Sequence, residues 1–534
     1  MIFCRKIKEE EKKMKKNLKK LLSLALVVAL TGSLFTACSK EPAKKQEQQK
    51  ATLKPLTTDD ITLTYTFWQD IEIVQELEKE WEALHPNIQI EIEQFDVGSN
   101  NNELQARAAT GNLPDAFWVL GSPDVFITNG LLFDMSLLWE ADANTEGDSS
   151  ANVIKGINEY KIGYLGTEGK WTTPVKFFPT AAFVNMDVFL RNNEEMPAMD
   201  WTWDEFEETV KSMTRVDKVD GKHIFGQTTG CTVITWYPIA ADKNCIGEFG
   251  WNGTEYDMEN WAYGMNLDAE WIENENKPMW LDMGGTEQLA EMYGEGILYP
   301  QDIGYSAIHC DNWWTWEDYW ITDPWIVDYK VVFVPYMMPH TDDAQGGNYI
   351  ATMDMGGISP FTSYPREAYE VLKFMTWGAE GWTYKLEHYP NIMEESTGGD
   401  RAVSKNNCPI TLDADIWAGF ELWHPNSVEG DTEMIERYGE EYDRAKYFDY
   451  FMDEVQKSTW VCYGGQQIPG FDTWLQNIYF GNDGQQDFGY SEGLGIEKAV
   501  IYGNVDAYDY YEKLQESGNQ INQEKLQEIE DYLK

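Results

Sequence analysis

From residue 61 the hydrophobic pattern changes period in a regular way. Ile61, Leu63, Tyr65 and Phe67 alternate with threonines, the period-two mark of a half-buried strand. Ile71, Val74, Leu77, Trp81 and Leu84 then recur three and four apart. That spacing predicts an amphipathic helix, which Asp70 can cap and Pro86 and Asn87 stop. Ile88, Ile90 and Ile92 alternate again. A helix over residues 101–110 runs up to Gly111, a residue suited to a helix C-cap. The unalternating run 115–120 (DAFWVL) reads as a strand buried on both faces. Strands alternating with helices predict a parallel sheet covered by helices, with ligand bound beyond the carboxyl ends of the strands. That edge holds Trp68, Gln69 and Asp70, with Gly121 and Ser122 after the third strand. Trp118 fits the core of that strand as well as it fits a ligand platform.

A second unit follows. Residues 178–189 (FPTAAFVNMDVF) read as a strand, and 201–215 as a helix with a Thr202/Glu205 capping box and Phe206, Val210 and Met213 inside. Residues 231–345 show no sustained period and read as largely irregular, heavy in Trp, Tyr, Asn and Gly. Regularity returns at 354–361 (DMGGISPF), then in a helix over 365–381 with Ala368, Val371, Leu372 and Met375 inward. A Trp- and Gly-rich stretch covers 415–490, and 509–533 is a polar, Gln/Glu-rich helix. No tandem repeat is present.

The N-terminus sets the compartment. Lys and Arg crowd residues 5–20, residues 21–30 (LLSLALVVAL) form a short apolar run, and small residues precede Cys38. This is the layout of a secretory signal, too short to span a bilayer. Cys38, directly after Ala37 and before polar residues, makes it a lipoprotein signal whose cysteine is acylated, although Phe35 stands where Leu is usual. An uncleaved anchor and a non-lipidated signal are the alternatives, and Met14 opens a more ordinary start than Met1. Residues 38–58 are a Lys- and Gln-rich tether reaching roughly 25 Å as a flexible coil. The expected location is therefore extracytoplasmic, with a lipid anchor on the outer face of the cell membrane.

Charge narrows the partners. The chain carries 41 Lys+Arg against 91 Asp+Glu. Residues 1–37 hold nine of the basic and three of the acidic groups, so the remainder has 32 against 88, a charge of −56. A body that acidic cannot hold a nucleic-acid backbone by counterion release. The 43% of hydrophobic residues supplies ample core. Cysteines at 4, 38, 231, 245, 310, 408 and 462 show no CxxC pair. Either a Cys231–Cys245 bridge or single buried thiols fits them.

Catalytic and metal motifs are missing. The histidines at 85, 223, 309, 340, 388 and 424 make no ligand spacing, and no GxSxG turn or phosphate-binding glycine loop occurs. With so many carboxylates, a nearby pair is no evidence for a glycosidase. Residues 142–148 (DANTEGD) faintly match a calcium loop, but Val153 stands at the twelfth place in lieu of glutamate. The expectation is a binding protein and not an enzyme, with no cofactor and no metal.

Taken in order, YTFWQD, GNLPDAFWVLGSPD, WTTPVKFFPTAAFVNMDVF, WTWDEFEE, HCDNWWTW and MGGISPFTSYPREAYEVLKFMTWGAEG resemble the extracellular solute-binding proteins of ABC importers, the family that includes the maltose-binding protein. The resemblance implies an α/β, two-lobed periplasmic-binding-protein-like fold of type II, whose hinged lobes close on a solute. It places a first lobe at 59–174 plus 351–395 and a second at 175–350 plus 396–534. Crossovers fall near residues 173–178 and 348–353. The implied partners are a small-molecule carbohydrate and ABC permease subunits, with the protein itself a monomer.

The resemblance also puts a cleft aromatic of the second lobe in the segment 310–320 (CDNWWTWEDYW), where Asn312, Trp313 and Trp314 are the candidates. Such consecutive aromatics can equally pack both faces of one element. Phe177, Phe178 and Trp236 join them, as do Asp354, Met355 and Gly356 just past the second crossover. Aromatic faces suit the apolar C–H faces of sugars, and neighbouring Asp, Asn and Gln suit their hydroxyls. The many aromatics favour an oligosaccharide. A receptor for a peptide or polyol, or a glycan-active enzyme, is the rival reading.

Overall fold

The computed structural model describes residues 52–121, 123–159, 169–229, 233–315, 331–342, 349–350, 352–395, 408–423, 431–439, 442–462, 464–479, 495–503 and 505–533. The signal segment, Cys38, most of the tether, Ser122, Cys231 and the side chain of Trp314 lie outside the described residues.

The opening pattern folds as its periods predict. β1 (Ile61–Phe67), α1 (Ile71–Leu84), β2 (Ile88–Gln94), α2 (Asn100–Thr110) and β3 (Ala116–Val119) follow in turn, and β4 (Thr173–Phe178) comes next among the strands. α1 buries Ile73, Val74, Leu77 and Trp81, so its inner stripe takes Ile73 where the pattern pointed to Ile71. Leu84 is 41% exposed. Gly111 ends α2 in the left-handed conformation, φ 77°. Asp70 occupies the N-cap of α1, but its side chain makes no capping bond there. Its carboxylate is drawn instead to Lys176.

The second unit comprises β5 (Thr180–Asn185), α3 (Trp203–Met213), β6 (Arg215–Val216), β7 (His223–Thr229), α4 (Val233–Ala241), α5 (Glu259–Glu273), β8 (Ser306–Asn312) and β9 (Phe333–Tyr336). The Thr202/Glu205 capping box forms, with Phe206, Val210 and Met213 buried. Residues 231–345 are more regular than their pattern suggests. α5 buries Trp261, Ala262, Met265, Leu267, Asp268, Trp271 and Ile272, residues spread around its circumference. A helix packed on several sides has no single apolar stripe to read.

Beyond these come β10 (Tyr349–Ile350), β11 (Thr352–Ile358), α6 (Pro365–Met375), α7 (Ala379–Glu395), β12 (Trp460–Val461) and α8 (Tyr511–Leu533). The single helix expected over 365–381 is thus two, parted where the Gly378 N–H turns back to Lys373 O at 2.8 Å.

Two five-stranded sheets result, in the orders β2-β1-β3-β11-β4 and β6-β7-β8-β5-β9. In the first, β1 runs parallel to β2 and β3, while β11 lies antiparallel to β3 and β4. β1, β3 and β4 therefore end at the edge where β11 begins. Pro179 alone separates β4 from β5. β5 starts opposite the end of β8, with Thr180 across from Asn312, and β7 parallels β8. The carboxyl ends of both sheets' parallel strands thus meet at the passage through Pro179.

Outside the sheets, the segments near 250 and 470 pack on one another. Phe249, Tyr256, Trp261, Phe471, Trp474 and Tyr479 form an aromatic core. α5 carries this core at one end and contributes Leu267 and Trp271 to the core of the second sheet at the other. Cys245, Cys310, Cys408 and Cys462 are buried. The calcium reading of 142–148 fails on Asp142, whose carboxylate accepts from Lys373 Nζ at 3.0 Å, Ser150 N at 2.7 Å and Tyr369 Oη at 3.1 Å.

Candidate functional site

At the first sheet's carboxyl edge, Trp68 leaves β1 and meets Trp118 of β3 edge-on, with ring centroids 4.9 Å apart and planes at 89°. Trp118 Nε1 donates to Tyr65 Oη at 2.6 Å, which fixes the ring. Gln94 Nε2 donates to Trp68 O at 3.0 Å. The exit of β3 is clasped by an asparagine: Asn101 Nδ2 donates to Leu120 O at 2.6 Å, and its Oδ1 accepts from Leu120 N at 3.1 Å. Asn100 Nδ2 donates to Trp118 O at 3.1 Å. Gly121 then turns away at φ 66°.

Charge gathers beside these rings. Lys176 of β4 donates from Nζ to Gln69 Oε1 at 2.9 Å and pairs with Asp70 Oδ2 at 2.5 Å. The same ammonium lies 5.8 Å from the Trp118 centroid and 6.0 Å from that of Phe178. Asp354 of β11 stands opposite Lys176 in the ladder. Burial pushes the Asp354 carboxyl up to about 6, with Lys176 opposing and Asp70 adding. Lys385 of α7 donates to Thr376 O at 2.9 Å and sits 4.7 Å from the Trp382 centroid. Burial brings its ammonium down to about 7, helped by Lys176 and opposed by Asp70. Asp70, Trp118, Lys176 and Lys385 line one cavity of about 20 Å³.

Across Pro179, Thr180 Oγ1 donates to Asn312 Oδ1 at 2.7 Å. Asp311 accepts from Thr315 Oγ1 at 2.5 Å and lies 3.5 Å from His309 Nε2. Burial disfavours the Asp311 carboxylate, yet His309 and Thr315 hold it below its usual range. His309 Nδ1 shares a hydrogen bond with Thr228 Oγ1 at 2.9 Å. Thr228, His309 and Ser306 are all buried, so this array belongs to the interior.

Two α/β sheets joined at strand ends, with aromatic and charged groups at the join, are the frame of a clamp. The match to the bacterial extracellular solute-binding protein family covers residues 69–376, from the start of this edge through α6. The chain belongs to that family. Solved structures agree on the fold. An ABC substrate-binding protein from Listeria monocytogenes in complex with cycloalternan is 16% identical with a TM-score of 0.55, covering 87% of this chain and 99% of that one. A sugar transporter from Rhizobium etli in an open conformation is 12% identical with a TM-score of 0.60, covering 86% and 98%. The sugar-binding protein MalE from Xanthomonas citri is 11% identical with a TM-score of 0.58, covering 88% and 99%. No curated protein matches by sequence.

In this solute-binding protein the structure gathers Trp68, Gln69, Asp70, Trp118, Phe178 and Asp354 around Lys176, with Asn312 just across the passage. Other residues singled out in the sequence make different contacts, although burial does not part the two groups, since Trp68, Trp118 and Phe178 are themselves buried. Trp313 is fully buried, stacked on Phe451 at 5.4 Å and 10°. Trp236 is buried and donates to Pro339 O at 3.2 Å. Phe177 and Met355 are buried in the core around the first sheet. A Cβ on Gly356 would lie 2.5 Å from Val175 Cγ1, so close strand packing requires the glycine. Sequence reasoning missed Lys176, Lys385, Asn100 and Asn101. The signal for Lys176 was present, since it is the only charged residue in 171–184.

Proposed function

We propose that this solute-binding protein captures an oligosaccharide between its lobes and delivers it unaltered to the permease of an ABC importer. The observation that carries the reading is the edge beside Pro179, where a Trp pair, an amide and a balanced set of charges sit at the strand ends of a hinged fold. Rings offer faces for C–H groups, and Gln69, Asp70 and Asn312 offer partners for hydroxyls. Solved structures of similar fold include one described with cycloalternan and one described as sugar-binding, which favours the same ligand class. Ligand contacts made to both lobes would favour the closed state, and a permease can read that state.

The same reading includes a lipid on Cys38 and a stand-off tether. The tether's lysines favour an anionic membrane surface, while the acidic body is repelled from it. Intrinsic fluorescence and thermal shift with maltotriose, mannotriose, xylotetraose and cycloalternan test the ligand class. A ligand at 100 times its Kd stabilises by about 2.7 kcal/mol. A shift with peptides and none with any saccharide would overturn the carbohydrate assignment, and release of shortened sugars would favour a glycan-active enzyme.

A further inference from the structure

Lys176 is 2% exposed, on the strand that leads directly into Pro179. An ammonium so deeply placed needs partners, and it has two from the turn after β1: Gln69 Oε1 and Asp70 Oδ2. That turn is strained. Asp70 adopts φ 64° and ψ 42°, a left-handed conformation uncommon outside glycine, and its side chain gives up the capping bond its position would allow. Neither cost is repaid within the turn itself. Both are met by the one side chain reaching over from β4.

We propose that Lys176 is the positioning residue of the ligand edge: its ammonium holds the Gln69–Asp70 turn in the strained conformation that presents this turn, next to Trp68, at the cleft. The inference rests on reading this edge as the ligand site. Because β4 is also the first crossover, the same bond ties the shape of the turn to the strand about which the lobes are joined. A plain structural ion pair would stabilise the fold without affecting ligand.

The test uses Lys176→Met and, because that change leaves Asp70 buried without its cation, the charge-balanced pair Asp70→Asn/Lys176→Met. Hydrogen exchange is followed in the ligand-free protein, and affinity is measured for whichever of maltotriose, mannotriose, xylotetraose and cycloalternan binds the wild type. Exchange across residues 68–71 should rise at least tenfold while that of 61–66 holds. Affinity should fall at least tenfold in folded Lys176→Met, which keeps the Asp70 carboxylate available to the ligand. Exchange within twofold of wild type in the double variant overturns the assignment. So does faster exchange with unaltered affinity, since Lys176 would then serve the fold alone. If the wild type binds no saccharide, the carbohydrate reading falls by itself and the exchange result decides the role of Lys176.

Discussion

Asn519 exchanges two hydrogen bonds with the backbone of Tyr256, 263 residues earlier: its Oδ1 accepts from Tyr256 N at 2.6 Å, and its Nδ2 donates to Tyr256 O at 3.2 Å. Directly before it in α8, Gly518 allows a close approach, since a Cβ there would lie 3.1 Å from Tyr256 Cδ2 and 3.3 Å from Trp474. The other end of α8 buries Ile529 in a cluster with Phe117 and Phe126. The last helix therefore fastens the aromatic core around Tyr256 to the apolar cluster beside β3.

The two ends of α8 should differ in their cost. Asn519→Ala strands a buried-side backbone pair and should destabilise by about 1–3 kcal/mol. Ile529→Ala should cost about 2–5 kcal/mol through cavity formation. Urea unfolding of each variant checks both, and a loss under 0.5 kcal/mol at Ile529 would mean that the helix end is not docked.

Trp313 and Trp68 should separate stability from binding. Trp313 is fully buried against Phe451, so Trp313→Ala should cost about 3–5 kcal/mol of stability. Trp68→Phe keeps most of the packing on Trp118 and should weaken ligand by about tenfold, or roughly 1.4 kcal/mol, with a smaller change in thermal midpoint. Calorimetric titration alongside thermal unfolding reads the two effects. Equal affinity for wild type and Trp68→Phe would remove Trp68 from the site.

How far the sequence went depends on the kind of signal. Alternation in β2 and three-four spacing in α1 and α3 were legible because each buries one face; β1 was legible from its first half, although Tyr65, Thr66 and Phe67 are all buried. α5 was not, because two cores claim different sides of it. At the candidate site, the turn after β1 pointed to Trp68, Gln69 and Asp70, but the ammonium that Gln69 and Asp70 meet lies 107 residues away from Gln69 in Lys176. Pairings across such distance leave no local period. In the aromatic cluster at 310–320, Trp313 packs inward on Phe451, while the side chain of Trp314 and residues 316–320 lie outside the described residues.

The charges behind the site should give stability an unusual pH dependence. Asp354 is raised from 3.8 to about 6, so its neutral form is the one the fold prefers. Its contribution is fully present below pH 3.8 and is lost as pH rises through about 6, on the order of 2–3 kcal/mol. Lys385 is lowered from 10.5 to about 7. Its contribution is present above pH 10.5 and is lost as pH falls through about 7. Asp354→Asn should flatten the acid slope and Lys385→Met the alkaline one, in thermal unfolding from pH 4 to pH 10 at fixed ionic strength. Slopes unchanged in both variants would show that other groups govern them.

Asp142 supplies a test that separates a metal loop from a buried ion pair. Its two oxygens are occupied by Lys373 Nζ, Ser150 N and Tyr369 Oη, and Lys373 Nζ also donates to Asp148 O at 2.6 Å. A cation entering this loop would have to displace an ammonium already in place. Millimolar calcium or a chelator should therefore leave the thermal midpoint unmoved. Removing the ammonium is a different matter, because it leaves a buried carboxylate with hydroxyl and amide donors but no counter-charge. Lys373→Met should cost about 3–5 kcal/mol at neutral pH, and Asp142→Asn/Lys373→Met should regain much of that loss. A calcium-dependent rise in the midpoint of Lys373→Met alone would show that the loop can hold a metal once its own cation is gone. The same rise in the wild type would overturn the ion-pair reading.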